Sequence, residues 1–345
     1  MDRAAAPAAL LGFAEGVLRA EGVPADHAHL LADTLVKAEL WGHASHGLLR
    51  LPWYVERLRS GAMQRVTSAK VVRDGGALVV LDGCDGIGQV IADQATTLGI
   101  ERAKVHGVSA VGIRRSGHFG TAAYYTRRAA EAGCVAFLCT NASPAMAPWG
   151  GREKSIGTNP WSIAAPAGRH GVLVMDLANT AVARGKVYLA AEHGTPIPAD
   201  WAADAAGNPT TDPRAAIEGL ILPMAGPKGY VMSFMMDVLA GVLTGSAFGD
   251  AVGGPYQADA ASGAGHFLLV VDVAAMADSG EYAERVEALV DATRAAPKAA
   301  WADEILVPGE LEDRNAVRNA AGIVLAAATW ASLGKLAAET GVELP

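Results

Sequence analysis

Apolar positions in the first sixty residues recur at helical spacing. Leu10, Leu11, Ala14, Val17 and Leu18 share a face, with Glu15 and Arg19 between them, which predicts an amphipathic helix rather than a secretion signal. In "PADHAHLLADTLVKAEL" a proline stands at the helix start, and Leu30, Leu31, Thr34, Leu35 and Ala38 repeat the pattern. The period then shortens: "AKVVRDGGALVVLDG" is two β-rich runs around Asp74-Gly75, a hairpin signal. From residue 88 helix and strand alternate, "GQVIADQATTLGIERAKVHG" and "TAAYYTRRAAEAG" as helices, "VSAVGIR" and "VAFLCTN" as strands. Further buried strands are expected at "WSIAAPA", "GVLVMDLA" and "HFLLVVDVA", with a long helix from about Gly229 to Leu243. After Gly280 the chain reads as helical, ending in "GIVLAAATWASLGKLAAETG". Helical ends thus bracket a layered α/β middle.

Composition narrows the setting. At 345 residues the chain exceeds the usual single domain, so two lobes or one core with a large insertion is expected. Hydrophobic residues at 51% against 19% charged give ample material for a core and exclude a disordered chain. The net charge of −8, without a run of like charges, gives no reason to expect nucleic acid as a partner. No apolar run approaches the roughly 20 residues that span a bilayer, so no membrane association is expected. Cys84, Cys134 and Cys139 form no CxxC pair and are odd in number, which fits a reducing compartment and a cytoplasmic location.

The familiar phosphate and hydrolase signatures are missing. No GxGxxG follows a strand, and GxxxxGK[ST], HExxH and GxSxG are absent. Chemistry must rest on other residues. Within "WGHASHGLLRLPWY", residues 41 to 54, a helix over residues 46 to 54 would project His46, Arg50 and Tyr54 from one face at successive spacings of four. An arginine offers a fork for a carboxylate, and an imidazole can exchange a proton near neutral pH. Ser45 could orient that imidazole; the alternative is a solvated or internally bonded pair. A metal site on His43 and His46 lacks further nearby ligands, so no metal is expected.

A second constellation is "RRSGHFGTAAYY", residues 114 to 125, between a predicted strand and helix, where α/β folds bind ligands. Its Gly117 and Gly120 permit close backbone approach, and the amides opening the next helix could receive a phosphate; the alternative is a glycine turn with a packed His118. Residues 140 to 166 form a long connection rich in proline and glycine. Lys228 precedes a helix and could meet a phosphate, whereas Met232, Met235 and Met236 read as core filling.

Together, "GHASHGLLRLPWYVERLRSG", "RSGHFGTAAYYTRRAAEAG", "TNASPAMAPWGG", "GTNPWSIAAP", "GPKGY" and "PGE" resemble the malate/L-lactate dehydrogenase family that lacks a Rossmann domain, the sulfolactate dehydrogenase-like oxidoreductases. The match is densest between residues 41 and 166. This resemblance implies an α/β fold with a non-Rossmann mixed-sheet cofactor domain (71–280) inserted between an N-terminal helical segment (1–70) and a C-terminal one (281–345) that packs with it. It also implies a homodimer with the active site near the interface, NAD or NADP as cofactor, and a small carboxylic acid as substrate.

The implied reaction transfers hydride between nicotinamide and C2 of a small 2-hydroxy/2-oxo acid. Alternatives are reduction of a cyclic imino acid, noncatalytic binding of a small acid, and a histidine-based metal hydrolase. By motif, the resemblance makes His46 the acid/base with Ser45 as relay and His118 as competing candidate; Arg50 is the carboxylate clamp, and Tyr54 and Thr158 contact substrate. His118, Phe119, Gly120, Thr121, Ala122, Asp176, Leu177, Ala178, Lys228, Pro308, Gly309 and Glu310 would contact the cofactor. Departures include Trp41, where many members have arginine, and Lys186, where some members carry the acid that completes the serine–histidine relay.

Overall fold

The computed structural model describes residues 2–345, apart from the side chains at 184, 185, 189 and 192. The chain opens with β1 (Arg3–Ala5), α1 (Pro7–Ala20), α2 (Ala25–Leu40), two single 3₁₀ turns (Ala44–His46, Leu48–Arg50) and α3 (Leu51–Ser60). Then come β2 (Lys70–Asp74), β3 (Leu78–Asp82), α4 (Gly88–His106), β4 (Val108–Ser116), α5 (Ala123–Glu131), β5 (Cys134–Thr140), β6 (Trp161–Pro166) and β7 (Val172–Leu177). A lobe of α6 (Arg184–His193), β8 (Ala202–Ala203), α7 (Pro213–Glu218) and β9 (Leu220–Ile221) leads to α8 (Pro227–Asp237) and β10 (Ala264–Asp272). The chain closes with α9 (Val273–Met276), α10 (Ser279–Arg294), α11 (Glu310–Asn319), β11 (Ile323–Leu325) and α12 (Ala327–Thr340).

The two chain ends share one core. Leu10, Leu18, Leu31, Leu35, Leu48, Leu51 and Leu58 are buried in the same cluster as Leu333 and Trp330, and β1 pairs antiparallel with β11. That short strand replaces the start of the expected last helix; β-branched Ile323 and Val324 find backbone partners in β1. Trp330 Nε1 also donates to the Arg3 carbonyl. The 281–345 segment nevertheless divides. α11 and α12 lie against the N-terminal helices, whereas α10 packs on the sheet domain, where Tyr282 Oη donates to the Pro166 carbonyl and Arg169 pairs with Glu287 and Asp291.

Seven strands form the central sheet in the order β2-β3-β4-β10-β5-β6-β7, with β3–β4 its single parallel pair. The sheet is therefore mixed, built on one β3-α4-β4 crossover and otherwise antiparallel. α4 and α5 cover it, burying Ile91, Ala95, Tyr125 and Ala129 against Val111, Leu138 and Leu268. His266 in β10 bridges its neighbours: Nδ1 lies 2.7 Å from Thr140 Oγ and Nε2 2.8 Å from Ser116 Oγ. Since the Thr140 hydroxyl is spent on the Gly265 or Asn141 carbonyl, Nδ1–H donates and Nε2 accepts. Burial pushes that imidazole down to about 3, consistent with a neutral structural tie.

Two features differ from the sequence reading. The lobe around Val187, Ile197, Ala202 and Ala216 has its own small core. Met235 is 50% exposed and lies beside exposed Val231 and Phe234, so α8 turns part of its methionine face outward instead of filling the core.

Because α12 packs on α3 and on the 3₁₀ turn that carries Arg50, the shared core supports the candidate site. Leu333→Ala is expected to cost about 2–5 kcal/mol in urea unfolding. A loss below about 1 kcal/mol would show that α12 is not integral to this core.

Candidate active site

The stretch from 46 to 54 is not one helix. Gly47 is extended, at φ −89° and ψ −148°, between the two 3₁₀ turns, and α3 starts only at Leu51, just before Pro52. The break has a physical cause: Glu39, at the end of α2, pushes its side chain beneath Gly47, and the Leu48 N–H donates to Glu39 Oε1 at 2.9 Å. Any Cβ at Gly47 would run into that carboxyl group. The expected one-face array is thus replaced by successive turns, which still gather the same residues.

His46 and His118 stack, with ring centroids 5.5 Å apart and planes 18° apart. Ser45 Oγ lies 2.9 Å from His46 Nδ1. Arg50 is fixed from two sides: its Nε–H donates to the Ser45 carbonyl at 2.7 Å, and its guanidinium lies over the Trp53 ring at 4.1 Å. Tyr54 Oη reaches His118 Nδ1 at 2.6 Å and receives the Gln89 Nε2–H at 2.8 Å. A small hollow of about 10 Å³, lined by Tyr54, Arg57, Asp85, Ser116 and His118, lies beside this cluster.

Electrostatics keep both imidazoles neutral. Burial, with Arg50 and His43 adding repulsion, pushes His46 down to about 3; burial and then Arg50 hold His118 well below its ordinary value. Burial also raises the Tyr54 phenol to about 12, so it stays protonated. A neutral histidine is suited to accept a hydroxyl proton. A carboxylate bound to Arg50 would offset one source of that repulsion, favouring the imidazolium needed in reduction.

The residues expected around the cofactor occupy a second group of loops. Asp176, on β7, accepts the Ala123 N–H at 2.8 Å, so the start of α5 already faces a carboxylate rather than standing open to a phosphate. Leu177 pairs with Trp161 across β6–β7, and Ala178 precedes the buried Asn179. The Asn179 N–H donates to the Thr158 carbonyl at 3.1 Å, tying "GTNP" to this strand end. Gly229 sits so close to the Asn179 carbonyl that a Cβ there would be 2.6 Å from its oxygen, which puts Lys228, exposed at the first turn of α8, beside the same hub. The Pro308 carbonyl accepts the Val174 N–H at 3.2 Å, and Gly309 takes φ +91° against Val174. Glu310 is engaged by Arg294 and Arg314. Phe119 and Ala122 are buried; Thr121 Oγ is buried without a partner. Lys186 is exposed on α6.

Four polar residues escaped sequence reasoning: Glu39, Gln89, Asn141 and Asn179. Asn141 bonds the Ala247 carbonyl, Asp237 and the Gly265 amide, clamping the 140–166 connection to β10. Gln89 stands in "DGIGQ", a stretch that lacks Rossmann spacing, and the asparagines lie in stretches that read as turns. Only an intrahelical polar residue on an apolar face signalled Gln89. Among the described residues no group of three or more His, Cys, Asp or Glu side chains is gathered as a metal site, and no helix is long and apolar enough to cross a membrane.

Residues 6–334 match the sequence profile of the malate/L-lactate dehydrogenase family. The malate/(S)-sulfolactate dehydrogenase of Methanothermus fervidus is 37% identical over 329 residues, covering 95% of each chain. The (2R)-3-sulfolactate dehydrogenase (NADP(+)) of Chromohalobacter salexigens is 41% identical over 285 residues, 81% of this chain and 84% of that one. The solved sulfolactate dehydrogenase of Methanocaldococcus jannaschii superposes with a TM-score of 0.94 at 34% identity, covering 99% of this chain and 98% of the other.

Glu39 makes the site's scaffold sensitive to pH. Burial outweighs its bond from Leu48 and pushes its carboxyl from the ordinary 4.5 up to about 7. The folded state therefore holds this proton more tightly than the unfolded state, and the advantage, fully present below 4.5, is lost as pH rises to about 7. The loss amounts to on the order of 3 kcal/mol. Glu39→Gln, which keeps an acceptor for Leu48, should raise Tm at pH 8 and leave it little changed at pH 4; an equal shift at both would contradict ionisation as the cause.

Proposed function

Since the chain belongs to the malate/L-lactate dehydrogenase family and is an NAD(P)-dependent 2-hydroxy acid oxidoreductase, we propose how its residues divide that work. His46 carries the proton of the C2 oxygen, with Ser45 bonded to its other nitrogen. Arg50 clamps the substrate carboxylate, and Tyr54 and Thr158 line the substrate pocket. The carrying observation is the cluster itself: a neutral imidazole 5.5 Å from a second one, beside a guanidinium locked by Ser45 and Trp53. A 2-hydroxy acid needs these three things in one place, a base, a carboxylate fork and an approach for hydride.

The cofactor, when bound, accepts or supplies the hydride at its nicotinamide ring. Residues His118 to Ala122, Asp176 to Ala178, Lys228 and Pro308 to Glu310 are proposed to hold it. The unpaired, buried Thr121 Oγ supports this, because a hydroxyl left without a partner inside that segment suits a polar group of a ligand. The lysine offers a point charge to a phosphate from an exposed helix start. The names of the relatives favour malate- or sulfolactate-like substrates.

We further propose a homodimer in the cytoplasm. Val231, Phe234, Met235, Val242, Leu243 and Phe248 are each 46% or more exposed along α8 and the turns after it, an apolar face that a second copy would cover. Cys84, Cys134 and Cys139 are free thiols, as a reducing compartment permits.

Two measurements test these roles. Arg50→Ala should lower kcat/KM by the equivalent of about 2–5 kcal/mol, and His46→Ala should lose turnover with cofactor affinity retained. Unchanged kcat/KM in Arg50→Ala would remove it from the site, and an active His46→Ala would remove His46 as acid/base. Phe234→Asp should sediment as a monomer; unaltered sedimentation of a dimer would place the interface elsewhere.

A further inference from the structure

The two stacked imidazoles differ in how their nitrogens are committed. His118 Nδ1 is approached by two groups, Tyr54 Oη at 2.6 Å and the Gly120 N–H at 3.3 Å. The direction of the second bond is set by the backbone, which has only a proton to offer, so Nδ1 must present its lone pair. Tyr54 then donates its O–H to the same nitrogen, and its oxygen accepts from Gln89 Nε2. Gln89 is fully buried, and its Oε1 has no partner, so the amide bonds only through the Nε2–H to tyrosine. Turning the amide round would point the Tyr54 hydroxyl away from His118 and set Nδ1–H against the Gly120 N–H.

We infer that Gln89 and Tyr54 are positioning residues that hold His118 as the neutral tautomer protonated at Nε2, a hydrogen-bond donor to the substrate, leaving proton transfer to His46. The division of labour rests on the reading of His46 given above; the tautomer does not. An imidazole carrying its proton at Nε2 has no lone pair there with which to take one from a hydroxyl acid. It can instead polarise or hold a substrate oxygen beside Arg50. The charged and titratable groups facing it, Arg50, His46, His266 and Arg57, all oppose a second proton on the ring. His46 has no such chain, its Nδ1 meeting only Ser45 Oγ.

The test is nitrogen-15 NMR of the full-length protein with labelled histidine, the His118 signals assigned from their loss in His118→Asn. At pH 7 the wild type should show His118 protonated at Nε2 with a bare Nδ1. A ring protonated at Nδ1, or a doubly protonated ring, overturns the inference. Gln89→Met should let the second tautomer appear and shift the pH profile of kcat/KM, with NADPH affinity within about twofold of wild type; Tyr54→Phe should do the same if the methionine variant fails to fold. An unchanged His118 spectrum and pH profile in both variants overturns the positioning role. Full turnover by His46→Ala beside an unaltered His118 tautomer would sink the reading of His46 alone, and would support the tautomer assignment.

Discussion

A short hydrogen bond, Tyr54 Oη to His118 Nδ1 at 2.6 Å, joins the two halves of the candidate site. Tyr54 belongs to α3, built into the core shared by the chain ends, and His118 follows β4 of the mixed sheet. The proposed acid/base and carboxylate-clamp residues gather around this contact, with Arg50 one turn earlier, His46 stacked on the ring and Gln89 behind the phenol. Holding donors and rings in fixed places before substrate arrives is where such a site gains its rate, because reorganisation is avoided during reaction. The shared core therefore supports the candidate site as well as the fold.

The backbone beneath the site carries a conflict. A buried carboxyl at Glu39 is unfavourable when ionised, yet it supplies the acceptor that turns the chain at Gly47 and separates the two 3₁₀ turns. That break sets the turn carrying His46 apart from the turn carrying Arg50. Local cost at a functional turn is a common pattern, and here its origin is one side chain.

Much of the architecture was legible in the sequence because hydrophobic period carries it. Apolar spacing located α1, α2, α4 and α5, and Asp74-Gly75 located the β2–β3 hairpin. Strand order and the partition of the C-terminal helices were not legible, since α10 differs from α12 by what it packs against rather than by its own pattern. The small strand at Ile323 was hidden for the same reason: its partner lies at Arg3–Ala5, more than three hundred residues away in sequence. Residue type and motif singled out His46, Ser45, Arg50 and Tyr54, and the structure brings them together, though without the helix expected to align them. Glu39, Gln89, Asn141 and Asn179 were missed because a buried polar residue acquires meaning only from its partners.

The central claim is that these side chains serve hydride exchange at C2 of a 2-hydroxy acid. It is tested most directly by following NADH and NADPH absorbance with the purified protein and a panel of pyruvate, oxaloacetate, sulfopyruvate, 2-oxo sugar acids and cyclic imino acids. The account predicts turnover on at least one open-chain 2-oxo acid with one or both cofactors. Turnover confined to the cyclic imines, or none with either cofactor, would contradict it.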